Sequence, residues 1–149
     1  MRGSQSMTQT IKKQRVLILC TGNSCRSQMA EGVLRHYGKD KFEVFSAGID
    51  PSRVNPIAIQ VMKEIGIDIS AQRSKHLDEF KNQKFDYVIT VCDNARESCP
   101  VFPGAKKQLH WSFADPPNDE EITEEVVQEF QNVRDLIHKK FRRAAQTGF

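Results

Sequence analysis

Val16-Leu17-Ile18-Leu19-Cys20-Thr21-Gly22-Asn23-Ser24-Cys25-Arg26-Ser27 runs from a short apolar segment into a cysteine, a glycine and an arginine with almost no spacer. The run from Val16 to Leu19 has charge before it and Gly22 behind it, which predicts a strand buried on both faces. Ser27 to Tyr37 follows with an apolar stripe of Met29, Val33 and Leu34, and Gly38 stands where a helix would be capped. Strand, tight loop and helix in that order are the first unit of an α/β fold.

The chain repeats the pattern. Phe42 to Ala47 reads as a second strand ending at Gly48. Asn55 then Pro56 reads as an N-cap and first helical residue, and Ile57, Val61 and Ile65 with Gly66 behind them complete a second helix. Ile67 and Ile69 suggest a short extended piece, and Leu77 to Phe80 a helical turn. Asp86 to Val91 is a third buried strand, and Gln108 to Phe113 a weaker fourth. From about Thr123, Val126, Phe130, Val133, Ile137 and Phe141 recur every three or four residues, with Glu at the start and Lys/Arg toward the end, as in a terminal amphipathic helix. Alternating strands and helices imply a parallel sheet with right-handed crossovers and helices on both faces. Such sheets carry their sites at the carboxyl ends of the strands, and Cys20 and Cys92 each directly follow a strand.

The loop from Cys20 to Arg26 suits an anion. Five residues between cysteine and arginine allow the backbone to curl into a nest of inward N–H groups, and the following helix adds its positive end. Gly22, seconded by Asn23, would supply the left-handed conformations of such a curl. Arg26 could close the ring with a two-pronged bond to the anion, the same field favours a thiolate at Cys20, and Ser27 could donate a hydrogen bond to it. Thr21, Gly22, Asn23, Ser24, Cys25, Arg26 and Ser27 are therefore the candidate oxyanion-binding residues.

Composition narrows the partners. Of 149 residues, 38% are apolar and 28% charged, with 22 Lys+Arg against 19 Asp+Glu, which suits one globular domain. The net charge of +3, with no basic stripe, offers nucleic acid little to hold. No apolar run approaches the ~18 residues that cross a bilayer, and the start lacks a secretory apolar core, so the expected location is cytoplasmic. Residues 1–13 read as a tag remnant and flexible tail, and 14–149 as a single catalytic domain. Four cysteines in a reducing compartment are not expected to form structural disulfides.

Residues Cys20 to Gly32 resemble the signature of arsenate reductases of the thioredoxin-coupled type, built on the low-molecular-weight protein tyrosine phosphatase fold. The resemblance extends through Ser46-Ala47-Gly48-Ile49, Val54-Asn55-Pro56, Ile67-Asp68-Ile69-Ser70 and Trp111-Ser112-Phe113-Ala114-Asp115-Pro116, covering nearly all of residues 14 to 143. It implies a four-stranded parallel sheet in the order 2-1-3-4. It also implies that Cys20 is the nucleophile, that Asp115 is a general acid, and that Cys92 and Cys99 carry a relay. In that relay Cys92 attacks the Cys20–arsenate adduct, Cys99 then attacks Cys92, and thioredoxin, an external reductant, reduces the resulting disulfide.

The resemblance implies no tightly bound cofactor, arsenate as substrate with phosphate or sulfate as analogues, and a monomer. Two other readings stay open: a tyrosine phosphatase that retains extra thiols, and an oxyanion or redox sensor without turnover. Zinc is disfavoured, because the thiol spacings do not match zinc knuckles and no histidine stands nearby, so no metal is expected. Cys25 reads as a packing residue of the loop, and His36, His76, His110 and His138 show no ligand spacing. Some members of the resembled family hold potassium with an asparagine, a glutamate, a serine and an aspartate. Asn23, Glu31 and Ser46 match three of these, but Lys75 falls at the aspartate's place, and insensitivity to potassium is expected.

Overall fold

The structure, a computed structural model, describes residues 12–98, 101–117 and 121–149. The elements are, in chain order, β1 (Gln14–Cys20), α1 (Arg26–Gly38), β2 (Phe42–Gly48), α2 (Pro56–Lys63), a 3-10 turn (Leu77–Glu79), β3 (Phe85–Thr90), α3 (Asp93–Ser98), β4 (Ala105–His110) and α4 (Glu124–Thr147), of which only α3 has no counterpart in the expectations above. The strands make one parallel sheet in the order β2-β1-β3-β4, as the resemblance implied.

β1 is central because all its residues from Val16 onward are apolar or cysteine, and both of its faces are buried. Val16 lies level with Val44 and Tyr87, and Leu17 level with Phe45 and Val88, so the two faces alternate across three strands. One face meets α1 and α4: Gly38 lets α1 settle on Phe42, since a Cβ there would lie 2.8 Å from the ring and 3.4 Å from Ala145 Cβ. The other face is closed by the ring cluster of Phe45, Phe80, Phe85 and Phe102, in which Phe85 meets the other three edge-to-face, and the Arg15 guanidinium lies 4.6 Å from the Phe85 centroid.

Several local expectations shift. Gly38 is the last residue of α1 and not a left-handed cap; its use is the close approach to Phe42. Ile67 and Ile69 form no strand, and are buried against Gly32 of α1 instead. β4 lies nearer the amino terminus than expected, because an edge strand tolerates Lys106 and Lys107 on its open side. Trp111 and Phe113 still donate their N–H groups to Thr90 O and Val91 O, at 2.9 and 3.1 Å, while the chain turns away toward Asp115. α4 runs a turn beyond its basic residues, so its last turn carries no cation. Thr123 caps its start, the side chain accepting from Val126 N at 3.2 Å.

The glycines at the sheet's carboxyl edge have unequal tasks. A Cβ on Gly48 would lie 2.6 Å from Thr21 O and 2.8 Å from Asn23 N, so β2 can abut the 20–26 loop only without a side chain there. Gly22 has no such constraint: its φ is not left-handed, and a Cβ would meet nothing nearer than 3.7 Å. Gly48→Ala is expected to cost ~1–3 kcal/mol through overpacking against backbone, and Gly22→Ala no more than ~0.5 kcal/mol. Urea midpoints at an unchanged m-value check this, and equal losses at the two sites would refute it.

Candidate active site

The loop between β1 and α1 is held open from outside. Thr21 O accepts from Asp50 N at 2.9 Å, Gly22 O from Ser52 N at 3.2 Å and from Ser74 Oγ at 3.1 Å, and Asn23 O from Gln28 Nε2 at 2.9 Å. Ser24 O accepts from Asn55 N and Cys25 O from Met29 N, both at 2.9 Å. Five consecutive carbonyls are thus turned outward and satisfied, which turns the intervening peptide N–H groups toward the interior of the curl. Of the two residues expected to turn left-handed, Asn23 does so, at φ 44°, and Gly22 does not. Asparagine tolerates that conformation, and here its fully buried side chain is also used. Its Oδ1 accepts from Lys75 N at 2.8 Å, and its Nδ2 donates to Ser27 Oγ at 2.8 Å and Ser46 Oγ at 2.9 Å. Removing it would leave the buried Lys75 N–H without its acceptor, a cost of ~1–3 kcal/mol.

Cys20 ends β1, paired with Gly48, with its Sγ 3.0 Å from Ser27 Oγ at the start of α1. It opens onto a cavity of about 200 Å³ lined by loop residues and Arg26, and beyond them by Asn55, Asp115 and Phe130. That volume is below the ~300–1,000 Å³ of pockets for drug-sized ligands, and suits a small anion. The Arg26 side chain is 12% exposed; Nη1 donates to Phe113 O at 3.1 Å, and Nη2 lies 3.4 Å from Asp115 Oδ1. Asp115 is 67% exposed, at the mouth of the cavity. The Asp115 carboxylate therefore stands on the solvent side of the Arg26 guanidinium at the cavity.

Cys92, in the turn after β3, meets the loop itself and is not among the residues that line the cavity. It is buried, and its Sγ lies 3.4 Å from Thr21 Oγ1 and accepts from Ala95 N at 3.4 Å. Asn94 Nδ2 donates to Thr21 Oγ1 at 3.0 Å, so the loop and the start of α3 are tied through one hydroxyl. Cys20, Cys25 and Cys92 are free thiols. Cys99 lies outside the described residues, just past the end of α3. Cys25 lines the cavity too, but burial, and then the nearby Cys20 and Asp115 charges, push its thiol well above the ordinary cysteine range. It stays protonated and does not compete with Cys20.

Asn23, Glu31, Ser46 and Lys75 do come together. Ser46 Oγ donates to Glu31 Oε1, Arg35 Nη2 lies 2.6 Å from Glu31 Oε2, and Lys75 Nζ lies 3.9 Å from Glu31 Oε1 while donating to Arg73 O at 2.8 Å. Burial lowers the Lys75 ammonium from the usual lysine value, with Glu31 opposing. With an ammonium already beside Glu31, these residues do not fit a bound monovalent cation.

The sequence alone missed several participants. Phe113 acts through its carbonyl, which has no residue-type signal, and Thr21, expected only for its place in the loop, also meets Cys92 and Asn94 through its hydroxyl. His110, given no chemistry above, bonds to Thr90 and to Asp93.

Known proteins share this arrangement. Residues 15–147 match the low molecular weight phosphotyrosine protein phosphatase family. An arsenate reductase of Halalkalibacterium halodurans is 48% identical over 93% of this chain and 99% of its own length. An arsenate reductase of Bacillus subtilis is 45% identical over 89% of this chain and 96% of its own. Among solved structures, an arsenate reductase in the phosphate binding state superposes with a TM-score of 0.77 at 32% identity, over 91% of this chain and 99% of that one. An arginine phosphatase from Geobacillus stearothermophilus superposes at 0.71 and 27%, over 89% and 91%. The chain therefore belongs to the low molecular weight phosphotyrosine protein phosphatase family and, within it, groups with the arsenate reductases.

Proposed function

We propose that this chain is an arsenate reductase that turns arsenate into arsenite through a relay of Cys20, Cys92 and Cys99, with thioredoxin as the external reductant. The observation that carries the reading is the place of Cys92. A phosphatase needs the oxyanion loop, the arginine and an acid; it has no use for a second thiol bonded to that loop through Thr21.

The positions of Cys20, Arg26, Asp115 and Cys92 support the following chemistry, in which Cys99 enters by the resemblance. Arsenate sits on the inward N–H groups of residues 21–26 with Arg26 across two of its oxygens. The Cys20 thiolate attacks arsenic; an As–O bond breaks, and Asp115 gives the departing oxygen the proton with which it leaves as water. Cys92, as a thiolate, attacks Cys20 Sγ. An S–S bond forms, the S–As electron pair stays on arsenic, and As(V) leaves as As(III) arsenite while two thiols have lost two electrons. Cys99 then attacks Cys92 Sγ and frees Cys20, and the dithiol of thioredoxin takes over the Cys92–Cys99 disulfide. Ser27, with Asn23 behind it, holds the Cys20 sulfur in place. No tightly bound cofactor enters the scheme. The thiols suit a reducing compartment such as the cytoplasm, and no helix among the described residues is long and apolar enough to cross a membrane. The chain is read as a monomer that engages neither nucleic acid nor membrane.

The test is arsenite formation from arsenate with thioredoxin, thioredoxin reductase and NADPH. Wild type is expected to turn over many times and Cys20→Ser not at all, while Cys99→Ala gives one arsenite per chain and stops. Cys92→Ser is expected to lose arsenate turnover yet keep slow hydrolysis of an aryl phosphate, because phosphate and arsenate share charge and shape. No multiple turnover by wild type would remove the reading, and undiminished cycling by Cys99→Ala would remove Cys99 from the relay. Lys75 gives a separate expectation. With its ammonium beside Glu31, exchanging sodium for potassium should leave kcat/KM unchanged within about twofold, a change of ~0.4 kcal/mol; strong activation by potassium in the same assay would contradict it.

A further inference from the structure

The strand-to-helix turn that carries Cys92 is bridged on its outer side by one imidazole. The register of β3 against β4 sets His110 beside Thr90, two residues before Cys92, and His110 Nδ1 lies 2.7 Å from Thr90 Oγ1. The other ring nitrogen, Nε2, lies 2.7 Å from Oδ1 of Asp93, the residue after Cys92. The Asp93 carboxylate can only accept, so Nε2 carries a proton and donates it. Thr90 adapts to either charge of the ring. It can donate to a bare Nδ1, or accept from a protonated one while its own hydroxyl turns to Leu109 O at 3.4 Å. The bridge therefore survives protonation of the ring. The hydrogen bond from His110 is the main cause that holds the Asp93 carboxyl below its ordinary value.

We infer that His110 and Asp93 are positioning residues for the second step of the reaction: together with Thr90 they clamp both flanks of Cys92 and hold its sulfur against the oxyanion loop. This rests on the arsenate reductase reading. The strand side of the turn is also held by backbone bonds, Val91 N to Leu19 O at 2.9 Å and Phe113 N to Val91 O at 3.1 Å, but from Cys92 onward the other anchors are longer. Cys92 Sγ has two 3.4 Å contacts, and Arg96 N reaches Cys92 O at 3.3 Å. α3 is only six residues long and cannot hold its own shape by propensity. Besides the imidazole, the start of α3 is tied to its surroundings by Asn94 to Thr21 and by a Ser112 hydrogen bond to the Asp93 carboxylate, and His110 is the larger of the two contributions at Asp93. The clamp touches neither Cys20 nor Arg26, and the first chemical step does not depend on it.

The experiment compares His110→Phe, Asp93→Ala and Asp93→Asn with wild type in two reactions of the full chain. Aryl phosphate hydrolysis, which uses the oxyanion loop, Cys20, Arg26 and Asp115 but not Cys92, is expected to stay within twofold in all variants. Arsenate turnover with thioredoxin is expected to fall tenfold or more in kcat for His110→Phe and Asp93→Ala. Asp93→Asn, which keeps an oxygen acceptor for Nε2–H, is expected to recover most of it. A third readout does not need arsenate: alkylation of Cys92 by iodoacetamide, followed by mass spectrometry in a Cys20→Ser, Cys99→Ala background. It should speed up at least tenfold when either side of the clamp is removed. Parallel losses in both enzymatic reactions, or unchanged Cys92 alkylation, would overturn the clamp. Failure of wild type to reduce arsenate, with Cys92 alkylation still sensitive to His110, would overturn the reductase reading and leave the clamp standing.

Discussion

The site depends on a backbone constraint. Five successive carbonyls of the loop after β1 are pulled outward by donors from elsewhere in the chain, and only for that reason do the peptide N–H groups converge on a small cavity. Left to itself, a seven-residue polar loop would be solvated in many conformations. Here Asp50, Ser52 and Asn55 from the segment after β2, and Ser74 from the segment before β3, hold it in one. Gly48 admits the loop to contact with β2, and the buried Asn23 side chain binds it to Ser27, Ser46 and Lys75.

That frame explains how one scaffold serves hydrolysis and reduction. In the proposed function an anion would be held by fixed dipoles and a single arginine, so charge development at the tetrahedral centre would be met without reorganisation. What differs between the two reactions is which atom next approaches Cys20 Sγ or its adduct. In this chain a thiol lies one hydroxyl away, on the neighbouring strand, whereas Cys25 is inside the loop and stays protonated. Position and protonation together separate Cys92, the resolving thiol of the proposed function, from Cys25.

The polar network behind the loop has its own balance. Glu31 is buried and accepts from Ser46, with Arg35 and Lys75 on either side. A buried carboxylate without a cation would be costly, whereas one supplied with ammonium and guanidinium partners from the chain is compensated. The compensation is covalently part of the protein and does not vary with the salt around it.

The elements themselves were legible in the residues. A continuous apolar run specifies a doubly buried strand, Asn55-Pro56 specifies a helix start, and periodic phenylalanines and valines specify α4, because each is a local pattern of side-chain spacing. The cysteine-to-arginine loop was legible as an anion site for the same reason. The limits of β4, the uses of Gly22, Gly38 and Gly48, and the carbonyl that holds Arg26 were not, since each depends on what packs alongside. Nor was His110, which meets Thr90 and Asp93 only through the register of two strands. The sequence by itself determined which thiols could react and where the anion loop begins. Tertiary structure alone decided which residue turns the loop and which cation lies beside Glu31. It also decided how Cys92 comes to face the site, because hydrogen bonds between residues twenty to seventy apart have no periodicity to read.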